Sequence, residues 1–468
     1  MTEASATRTE RDSMGELPVP RDALYGASTQ RAVVNFPVSG RGLPPEMVRA
    51  LGLVKLACLR VNRDMKLVDA KIAGGIEAAA QEVAANRLDE HFVVDVFQTG
   101  SGTSSNMNAN EVIANRAAQL LGGEAGDRSV HPNDHINLGQ SSNDVFPTAI
   151  HVAAVEGIEK NLLPALRGLQ TALAAKAKEF HSIVKIARTH LQDAVPLRLG
   201  QELGGYASQV EHGIEHVVAA LPHLSELPIG GTACGTGLNT PKSFGQRVAV
   251  ELSEITGSEF REARDHFEAQ GAQDAPVAMS GTLKTVAVSL MKIANDIRLL
   301  AMGPRCGIAE LKIPVVQPGS SIMPGKVNPV ICESVIQVGA QVQACDLAIQ
   351  LGGQWSQLDL NTMMPLIARN LLESIHLLAR SATVFAEKCI AGLEADAERC
   401  TELVEKSLAL VTALNPVVGY DKAAEIAYDA HRSGRTLREV LRERGFDEAE
   451  MERLLDPTTM TDPDPDPA

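Results

Sequence analysis

Three long segments of this chain repeat apolar residues at steps of three and four, the period of an α-helix with one buried face. The repeating residues are Val155, Ile158, Leu162, Leu166, Leu169 and Leu173, then Leu283, Val286, Leu290, Ile293, Ile297 and Leu300, then Val335, Val338, Val342, Cys345 and Ile349. Helices with such a seam pack side by side in bundles. The pattern predicts long core helices, with a kink at Pro164, and leaves open whether the seam is buried within one chain or between chains.

The remaining sequence fits the same fold class. No alternation of period two recurs, and alanine, leucine, valine and glutamate dominate a chain with 3 % aromatic residues. Helices are predicted from about Glu46 to Met65, from Asp69 to Leu88 and from near Asn108. We expect a nearly all-α protein with a helical N-terminal domain (1–140), a central bundle (141–367) and a small helical C-terminal domain (368–468), whose tail TDPDPDPA is too acidic and proline-rich to fold.

The charge and the cysteines limit the partners and surroundings of the chain. The 468 residues contain 43 Lys and Arg against 58 Asp and Glu, a net charge of −15, which argues against a nucleic acid or an anionic membrane as partner. Seven scattered cysteines without a Cys-x-x-Cys pair fit a reduced, cytoplasmic chain without an iron–sulfur cluster or structural zinc. The first twenty residues contain no apolar run typical of a signal peptide, and no apolar stretch is expected to reach the length of a membrane span.

The segment Gly319–Pro329, GSSIMPGKVNP, has the densest chemistry in the chain. Its glycines and prolines predict a loop whose backbone can approach a ligand closely. The loop carries Ser320, Ser321, Lys326 and Asn328, so it is either a solvated linker or a binding loop. A phosphate-binding P-loop is excluded because the glycine spacing is wrong and Val327, not a hydroxyl residue, follows the lysine.

Two further polar loops precede the long helices, FQTGSGTSSNMNANEV and HPNDHINLGQSSNDVFPTA. Hydroxyls, amides and an ammonium are the groups that recognise carboxylates, so the predicted ligand is a small polycarboxylate. His131, Asp134 and His135 have a spacing that could chelate a metal ion, but helix capping and polar packing are the favoured interpretation, and no metal is predicted. The glycine-rich GGTACGTG, residues 230–237, is interpreted as a tight loop and not as a dinucleotide site.

His190 is a candidate for proton transfer, although a lone histidine is more often structural. Glu333 follows the Gly319–Pro329 loop, and a carboxylate bonded to one imidazole nitrogen raises the basicity of the other. Because 143 residues separate the two, the pair is a hypothesis.

These motifs together resemble the fumarase/aspartase superfamily. The likeness runs through DSMGELPVP, TQRAVVNFP, QTGSGTSSNMNANEV, HPNDHIN, QSSNDVFPTA, RTHLQDAVPL, GGTACGTGLN, KIANDIRLLA, GSSIMPGKVNP and GYDKAAEIA. Within the superfamily the chain is most similar to the class II fumarate hydratases, which contain no iron–sulfur cluster. His190 stands where aspartate ammonia-lyases typically have glutamine, and Gly325 stands where they tend to have alanine.

The resemblance implies an all-α homotetramer of three-domain chains with a twenty-helix core, in which three subunits contribute to each active site. It implies the hydration of fumarate to L-malate, a step of the tricarboxylic acid cycle, through an aci-carboxylate intermediate and without a cofactor. Ser320 would be the general base, helped by Lys326, and His190 with Glu333 would handle the water.

The resemblance also assigns the binding residues. The substrate-binding positions would be Ser101, Thr103, Ser141, Ser142, Asn143, Thr189, Ser321, Lys326 and Asn328. A secondary anion site would consist of His131, Asn133 and Asp134.

Some residues depart from the family pattern, among them Gly139, Cys234 and Asp359, and these departures bear on substrate preference. Two alternatives follow: an ammonia-lyase or another eliminase of the superfamily, and a non-catalytic helical protein that keeps the fold. The presence of Ser320, Lys326, Asn328 and His190 argues against the second.

Overall fold

A computed structural model describes residues 7–463 and is predominantly helical, as predicted. Within these residues, the seventeen α-helices are α1 (Ala27–Asn35), α2 (Pro45–Asp64), α3 (Ala70–Ala84), α4 (Thr103–Leu120), α5 (Ser142–Gly157), α6 (Leu163–Glu179), α7 (Leu199–Leu224), α8 (Phe244–Thr256), α9 (His266–Gly271), α10 (Asp274–Leu300), α11 (Val330–Gln354), α12 (Met364–Phe385), α13 (Ala397–Lys406), α14 (Asn415–Val418), α15 (Tyr420–Ser433), α16 (Leu437–Glu443) and α17 (Glu448–Leu454). Short π-helices also occur at Pro132–Ile136, Ile158–Leu162 and Ala386–Ile390.

The strands are short and form five two-stranded sheets in the described part of the chain. They are β1 (Thr7–Asp12), β2 (Gly15–Pro20), β3 (Val184–Thr189), β4 (Gln192–Arg198), β5 (Glu226–Leu227), β6 (Arg261–Glu262), β7 (Leu311–Lys312), β8 (Ser356–Gln357), β9 (Leu360–Asn361) and β10 (Glu394–Ala395). The pairs β1–β2, β3–β4, β7–β10 and β8–β9 are antiparallel, and β5–β6 is parallel. The hairpins β1–β2 and β3–β4 were not expected from the sequence.

The predicted apolar seams are buried in the structure. Every repeating residue from Val155 to Leu173 is fully buried, and the seam continues from α5 through the π-helix Ile158–Leu162 into α6. The seam of α10 is likewise buried, and in α11 only Val338 is half-exposed. The kink at Pro164 stays a prediction; the π-helical turn lies directly before that proline.

The N-terminal helices begin close to the predicted positions, with one difference. α2 matches the predicted segment, and α3 begins as predicted but ends at Ala84, four residues before the predicted Leu88. α4 begins at Thr103, five residues before the predicted Asn108. The hydroxyl and amide residues before Asn108 resemble a loop in sequence. They form the first turn of the helix because Gly102, with φ of 71°, turns the chain sharply at the helix start.

The chain divides into two compact units, each assembled from three segments. The first contains Met1–Pro164, Ile214–Ala287 and Val338–Arg380, and the second contains Ala165–Gly213, Val288–Gln337 and Ser381–Ala468. In the first unit, α2, α3 and α4 pack around a core that includes Leu56, Ile76 and Val112. The three-domain division of the sequence stays a prediction.

In the second unit, the hairpin β3–β4 packs on the C-terminal helical segment. Ile186 of β3 belongs to a core that includes Val404, Leu410 and Ile426. The predicted disorder of the tail concerns mainly residues 464–468, which lie outside the described residues. At the start of the tail, Thr461 is buried and its carbonyl oxygen accepts a hydrogen bond from Gln201 Nε2 at 2.7 Å.

One described helix, α10, is long and apolar enough to cross a membrane, judged by length and composition alone. The sequence prediction that no stretch reaches this length therefore needs correction. The core helix of a water-soluble protein meets the same criterion, and the apolar seam of α10 from Leu283 to Leu300 is buried.

Candidate active site

In the first unit, a chain of three hydroxyls joins the two predicted polar loops. Ser101 Oγ lies 2.7 Å from Thr103 Oγ1, and Thr103 Oγ1 lies 2.7 Å from Ser142 Oγ. Thr103 opens α4 and Ser142 opens α5, so both hydroxyls lie at helix N-termini. Such ends favour anions because their backbone N–H groups and dipole point outward.

The loop before α4 is held by a close backbone approach. A Cβ atom on Gly100 would lie 1.7 Å from the carbonyl oxygen of Thr362, and the Gly100 carbonyl accepts a hydrogen bond from Met364 N at 3.0 Å. Only glycine fits at this position. The position of Ser101 is therefore set by its neighbour in the chain.

The N-terminus of α5 is fixed by a capping box. The Asn143 N–H donates to Ser141 Oγ at 3.2 Å, and the Ser141 N–H donates to Asp144 Oδ1 at 2.9 Å. The side chain of Asn143 donates to the carbonyl oxygen of Ala233 at 2.8 Å. All three predicted binding residues of this turn, Ser141, Ser142 and Asn143, are thus held in place.

Asp144 connects this turn to the glycine-rich segment 230–237, which is a loop as predicted. Its Oδ2 accepts hydrogen bonds from the N–H groups of Gly230 (3.1 Å) and Thr232 (2.9 Å). Complete burial raises the pKa of Asp144 to about 6, although the three backbone donors oppose the rise. Asp144 was not predicted from the sequence, where its signal is its place three residues after the cap Ser141.

The residues predicted to form a secondary anion site lie on one π-helical turn. Asn133 and Asp134 belong to the π-helix Pro132–Ile136, and His131 precedes it. Arg128 Nη2 donates to His131 Nε2 at 2.8 Å, and Nδ1 faces the Asp134 carboxylate at 3.1 Å. His131 Nδ1 also accepts hydrogen bonds from the N–H groups of Asn133 at 3.3 Å and Asp134 at 3.1 Å, so this ring caps the π-helix. In the described residues, no group of three His, Cys, Asp or Glu side chains is arranged to hold a metal ion.

In the second unit, Thr189 and His190 lie at the tip of the hairpin β3–β4. Thr189 pairs with Gln192, so His190 and Leu191 form a two-residue turn, with φ of 55° and 58°. Both residues have the left-handed conformation of a type I′ turn, which usually contains Asn or Gly. The turn leaves His190 exposed, and strained backbone of this kind clusters at functional sites.

The hairpin is anchored along β3 by a group of charged side chains that are wholly or mostly buried. Arg188 Nη1 donates to Glu310 Oε2 at 2.9 Å, and Lys185 Nζ lies 3.4 Å from the same oxygen. Lys185 and Glu310 are fully buried. This cluster was not predicted, because its members are isolated residues that are far apart in the sequence and form no motif.

The segment Gly319–Pro329 is a loop that closes on itself. Gly319 N donates to the carbonyl oxygen of Lys326 at 2.9 Å, and Asn328 Nδ2 donates to that of Gly319 at 2.6 Å. A Cβ on Gly319 would lie 2.3 Å from the Lys326 oxygen, and Gly325 has φ of 79°. A cavity of about 500 Å³ is lined by this loop.

Ser320 is set apart from Ser321 by its hydrogen bonds. The N–H groups of Ile322 and Met323 point at Ser320 Oγ, at 3.2 and 3.0 Å. Lys326 and Ser321 are exposed on the same loop. Two N–H donors aimed at one oxygen form the arrangement that stabilises an oxyanion.

The structure brings together some of the predicted residues and not others. Ser101, Thr103, Ser141, Ser142 and Asn143 form one group in the first unit, and Ser320, Ser321, Lys326 and Asn328 share one loop in the second. Glu333 lies in the first turn of α11. No ion pair or hydrogen bond joins Glu333 to His190 in the described part of this single chain.

Comparisons with known proteins agree with these motifs. A family model described as "Lyase" matches residues 15–344, and a model described as "Fumarase C C-terminus" matches residues 410–462. The chain is 57% identical to a class II fumarate hydratase of Halobacterium salinarum, over 97% of each chain, and 53% identical to one of Nitrosomonas europaea, over 97% of this chain and 99% of the relative. The crystal structure of a class II fumarase from Schistosoma mansoni superposes with a TM-score of 0.94 at 39% identity, covering 97% of this chain and 99% of that chain.

Proposed function

This chain belongs to the class II fumarate hydratase family of lyases and catalyses the reversible hydration of fumarate to L-malate, and we propose that Ser320 is the base that removes the C3 proton of malate. His190, oriented by Glu333, donates its own proton to the C2 hydroxyl, which leaves as water, while Ser320 keeps the proton taken from C3. In the direction of hydration the same groups act in reverse order. The substrate is a small dicarboxylate.

The hydrogen bonds to Ser320 Oγ are the observation that carries this assignment. A free serine hydroxyl is too weak a base to take a proton from carbon. Donors from Ile322 N and Met323 N stabilise the alkoxide relative to the hydroxyl, and so does the positive charge of Lys326 on the same loop. Ser321 has no such pair of donors in the described contacts, so the two adjacent serines differ in their support.

The carboxylates of the substrate are the natural partners of the remaining polar groups. We assign the donors at the N-termini of α4 and α5, namely Ser101, Thr103, Ser142 and Asn143, to carboxylate binding together with Thr189, Ser321, Lys326 and Asn328. The Asn328 amide already donates one hydrogen to Gly319 O and retains a second hydrogen for a ligand. His131, Asn133 and Asp134 are assigned to a secondary anion site beside Arg128.

The first experiment measures the reaction and the base. The purified protein is mixed with fumarate in water, with and without ammonium, and the ultraviolet absorbance of fumarate is followed. We expect consumption without ammonium, and turnover that required ammonium would identify an ammonia-lyase. Ser320→Ala is expected to lower kcat by about 10²–10⁴-fold. Ser321→Ala, the matched control, loses a binding group only, and equal losses in kcat for both variants would refute the assignment of the base.

We further propose that the chain acts in the cytoplasm as a homotetramer whose active sites combine residues of three subunits. In the described residues of one chain, no hydrogen bond or ion pair links His190 to Glu333, and a shared site supplies such a contact from another subunit. Light scattering of the eluting protein tests the assembly, because a stable monomer with full activity would refute it.

Complementation between two inactive variants tests the sharing of the site. Ser320→Ala and His190→Asn chains are denatured, mixed in equal amounts and refolded. If the two residues come from different subunits, about one quarter of the sites regain both native groups in random tetramers. No recovery of activity in mixed tetramers would place both groups in one chain.

A further inference from the structure

Lys55 lies in the middle of α2 with 1 % of its surface exposed. Its ammonium donates to Asn137 Oδ1 at 3.0 Å and to Gln140 Oε1 at 2.9 Å. No carboxylate oxygen lies within 4 Å of Nζ in residues 7–463. A buried ammonium without an ion pair is costly, so its presence calls for a physical reason.

The two acceptors of Lys55 belong to the segment that leads into α5. Asn137 Oδ1 also accepts hydrogen bonds from Asn106 and Asn110 of α4, both at 3.2 Å, and Asn137 Nδ2 donates to the Gln140 carbonyl at 3.1 Å. Gln140 Nε2 donates to the carbonyl oxygens of Ile136 and Leu138. Residues 136–140 are therefore wrapped around the ammonium.

The carboxylate-binding turn follows this segment directly. Gln140 precedes Ser141, the cap of α5, and Ser142 and Asn143 come next. Lys55 donates to Asn137 and to Gln140, and Gln140 is the residue directly before Ser141. The ammonium is therefore close along the chain to the proposed binding groups. It reaches that turn from the side of the protein core.

Two titratable groups act electrostatically on Lys55. Asp144 of α5 is fully buried and is already engaged by three backbone N–H groups, and Cys58 lies one turn further along α2. Burial lowers the pKa of Lys55 to about 7, and the negative charge of Asp144 opposes this fall. Burial also raises the pKa of Asp144 to about 6 and raises the pKa of the Cys58 thiol, which keeps the thiol neutral. A bound dianion nearby would favour the charged form of Lys55, since an opposite charge opposes the effect of burial.

We propose that Lys55 is a positioning residue of the carboxylate site: its buried ammonium holds Asn137 and Gln140, and thereby the first turn of α5, and its charge favours a dicarboxylate bound at that turn. The inference rests on the proposed assignment of Ser142 and Asn143 to substrate binding. It adds a role for a residue that touches no substrate and acts from within the first unit.

A purely structural role predicts a different outcome from the same substitution. Methionine has nearly the shape of lysine and no charge to bury, and replacing a buried charge by an apolar side chain is often neutral or stabilising. If Lys55 only fills space, Lys55→Met leaves both stability and ligand binding unchanged. If Lys55 positions the site, ligand binding weakens although the fold persists.

The experiment compares Lys55→Met, Gln140→Glu and the control Cys58→Ala. Cys58 is a buried neighbour on α2 and a free thiol, and it is not among the groups that bond to Asn137 or Gln140 in the described residues. Succinate, an unreactive dicarboxylate, is titrated into each tetramer by calorimetry, and KM and kcat are measured separately. For Lys55→Met we expect the Kd for succinate and the KM for fumarate to rise at least about tenfold, with a smaller fall in kcat and a similar melting temperature. Cys58→Ala should leave both constants unchanged.

Gln140→Glu provides a second, independent test. The glutamate keeps an acceptor for Lys55 and supplies a counter-charge, but it loses the Nε2 donor to the carbonyl oxygens of Ile136 and Leu138. Succinate binding is therefore expected to weaken several-fold and the melting temperature to fall. Unchanged succinate binding in a folded Lys55→Met protein would overturn the proposal, and so would unchanged binding in Gln140→Glu if Lys55→Met does not fold. A failure of the proposed function is distinguishable, because the wild-type protein would then fail to bind succinate or to hydrate fumarate.

Discussion

Replacing Glu310 by glutamine removes one charge from a buried group of four side chains that anchors the hairpin β3–β4. Glu310 is 0 % exposed, and its Oε2 lies 2.9 Å from Arg188 Nη1 and 3.4 Å from Lys185 Nζ. Lys185, 1 % exposed, also lies 3.1 Å from Glu202 Oε2. The two positive and two negative charges cancel. The variant therefore leaves one uncompensated positive charge next to Lys185, where water is excluded.

The size of the effect follows from these distances. Each contact of about 3 Å contributes roughly 5 kcal/mol at an effective dielectric constant of 20, and desolvation of the carboxylate offsets most of this gain. Removal of one partner of a buried ion pair costs about 3–5 kcal/mol. Glutamine keeps the shape and can present its carbonyl oxygen to Arg188, while its amide takes the place of Oε1, which has no hydrogen-bond partner in the described structure. We expect Glu310→Gln to lower the free energy of unfolding of the hairpin by about 3 kcal/mol.

Hydrogen exchange followed by mass spectrometry measures this cost locally and requires no assumption of two-state unfolding in a large oligomer. The amides of β3 and β4 are expected to exchange about 100-fold faster in Glu310→Gln, since 1.4 kcal/mol corresponds to a factor of ten. Glu202→Gln is the matched control: Glu202 also pairs with Lys185, but its side chain is 22 % exposed, so we expect exchange to accelerate less than about fivefold, which corresponds to about 1 kcal/mol. Equal acceleration in the two variants, or none in Glu310→Gln, would refute the idea that this cluster holds the hairpin.

Three further predictions concern the backbone and the pH dependence of the fold. Leu191→Gly should raise the local stability of the hairpin by up to about 1 kcal/mol, because Leu191 is 80 % exposed and has a left-handed backbone. Slower hydrogen exchange of the β3 and β4 amides would show this gain, and faster exchange would contradict it. Gly100→Ala should raise KM at least about tenfold through the clash with Thr362, and a native KM would contradict the steric argument. Gly74→Ala in α3, with open space around it, should leave KM unchanged and have a neutral or stabilising effect on the fold. Burial lowers the pKa of His151 to about 4, so the native state binds fewer protons than the unfolded state below pH 6.5. The free energy of unfolding therefore decreases by up to about 3 kcal/mol as the pH falls from 6.5 to 4. Denaturant midpoints of His151→Gln at pH 4.5 and 7.5 check the last point, since the variant should be less acid-sensitive than the wild type.

The helical framework could be predicted from the sequence because its signal is repeated many times. The apolar residues of α10 recur at helical spacing over five turns, and each of them is buried in the structure. The hairpin β3–β4 could not be predicted in this way. Its strands are six and seven residues long, Pro196 interrupts one of them, and the His190–Leu191 turn lacks the Asn or Gly that usually marks a type I′ turn.

In the candidate site, too, some residues could be predicted from the sequence and others could not. Residues that are presented to a ligand stand in dense motifs, because a loop that approaches a ligand needs glycines and several polar groups in a few positions, as in Gly319–Pro329. The residues that support them stand alone in otherwise ordinary elements. Lys55 occurs in a helix of apolar neighbours, and Glu310 precedes a two-residue strand.

The residues that support a site are hard to recognise in the sequence because their role depends on tertiary contacts. Asp144 can stay buried because the backbone of Gly230 and Thr232, more than 80 residues away, donates to it. Lys55 has one local signal in the sequence: it is a charged residue on the buried face of a helix, four residues after Leu51 and three before Cys58. A buried ionisable group persists only where neighbouring groups offset its cost, and the neighbours of Lys55 lead directly to the turn that begins α5. A charge at a helical position that the apolar period assigns to the core therefore predicts, from the sequence alone, that polar groups surround that position in the fold.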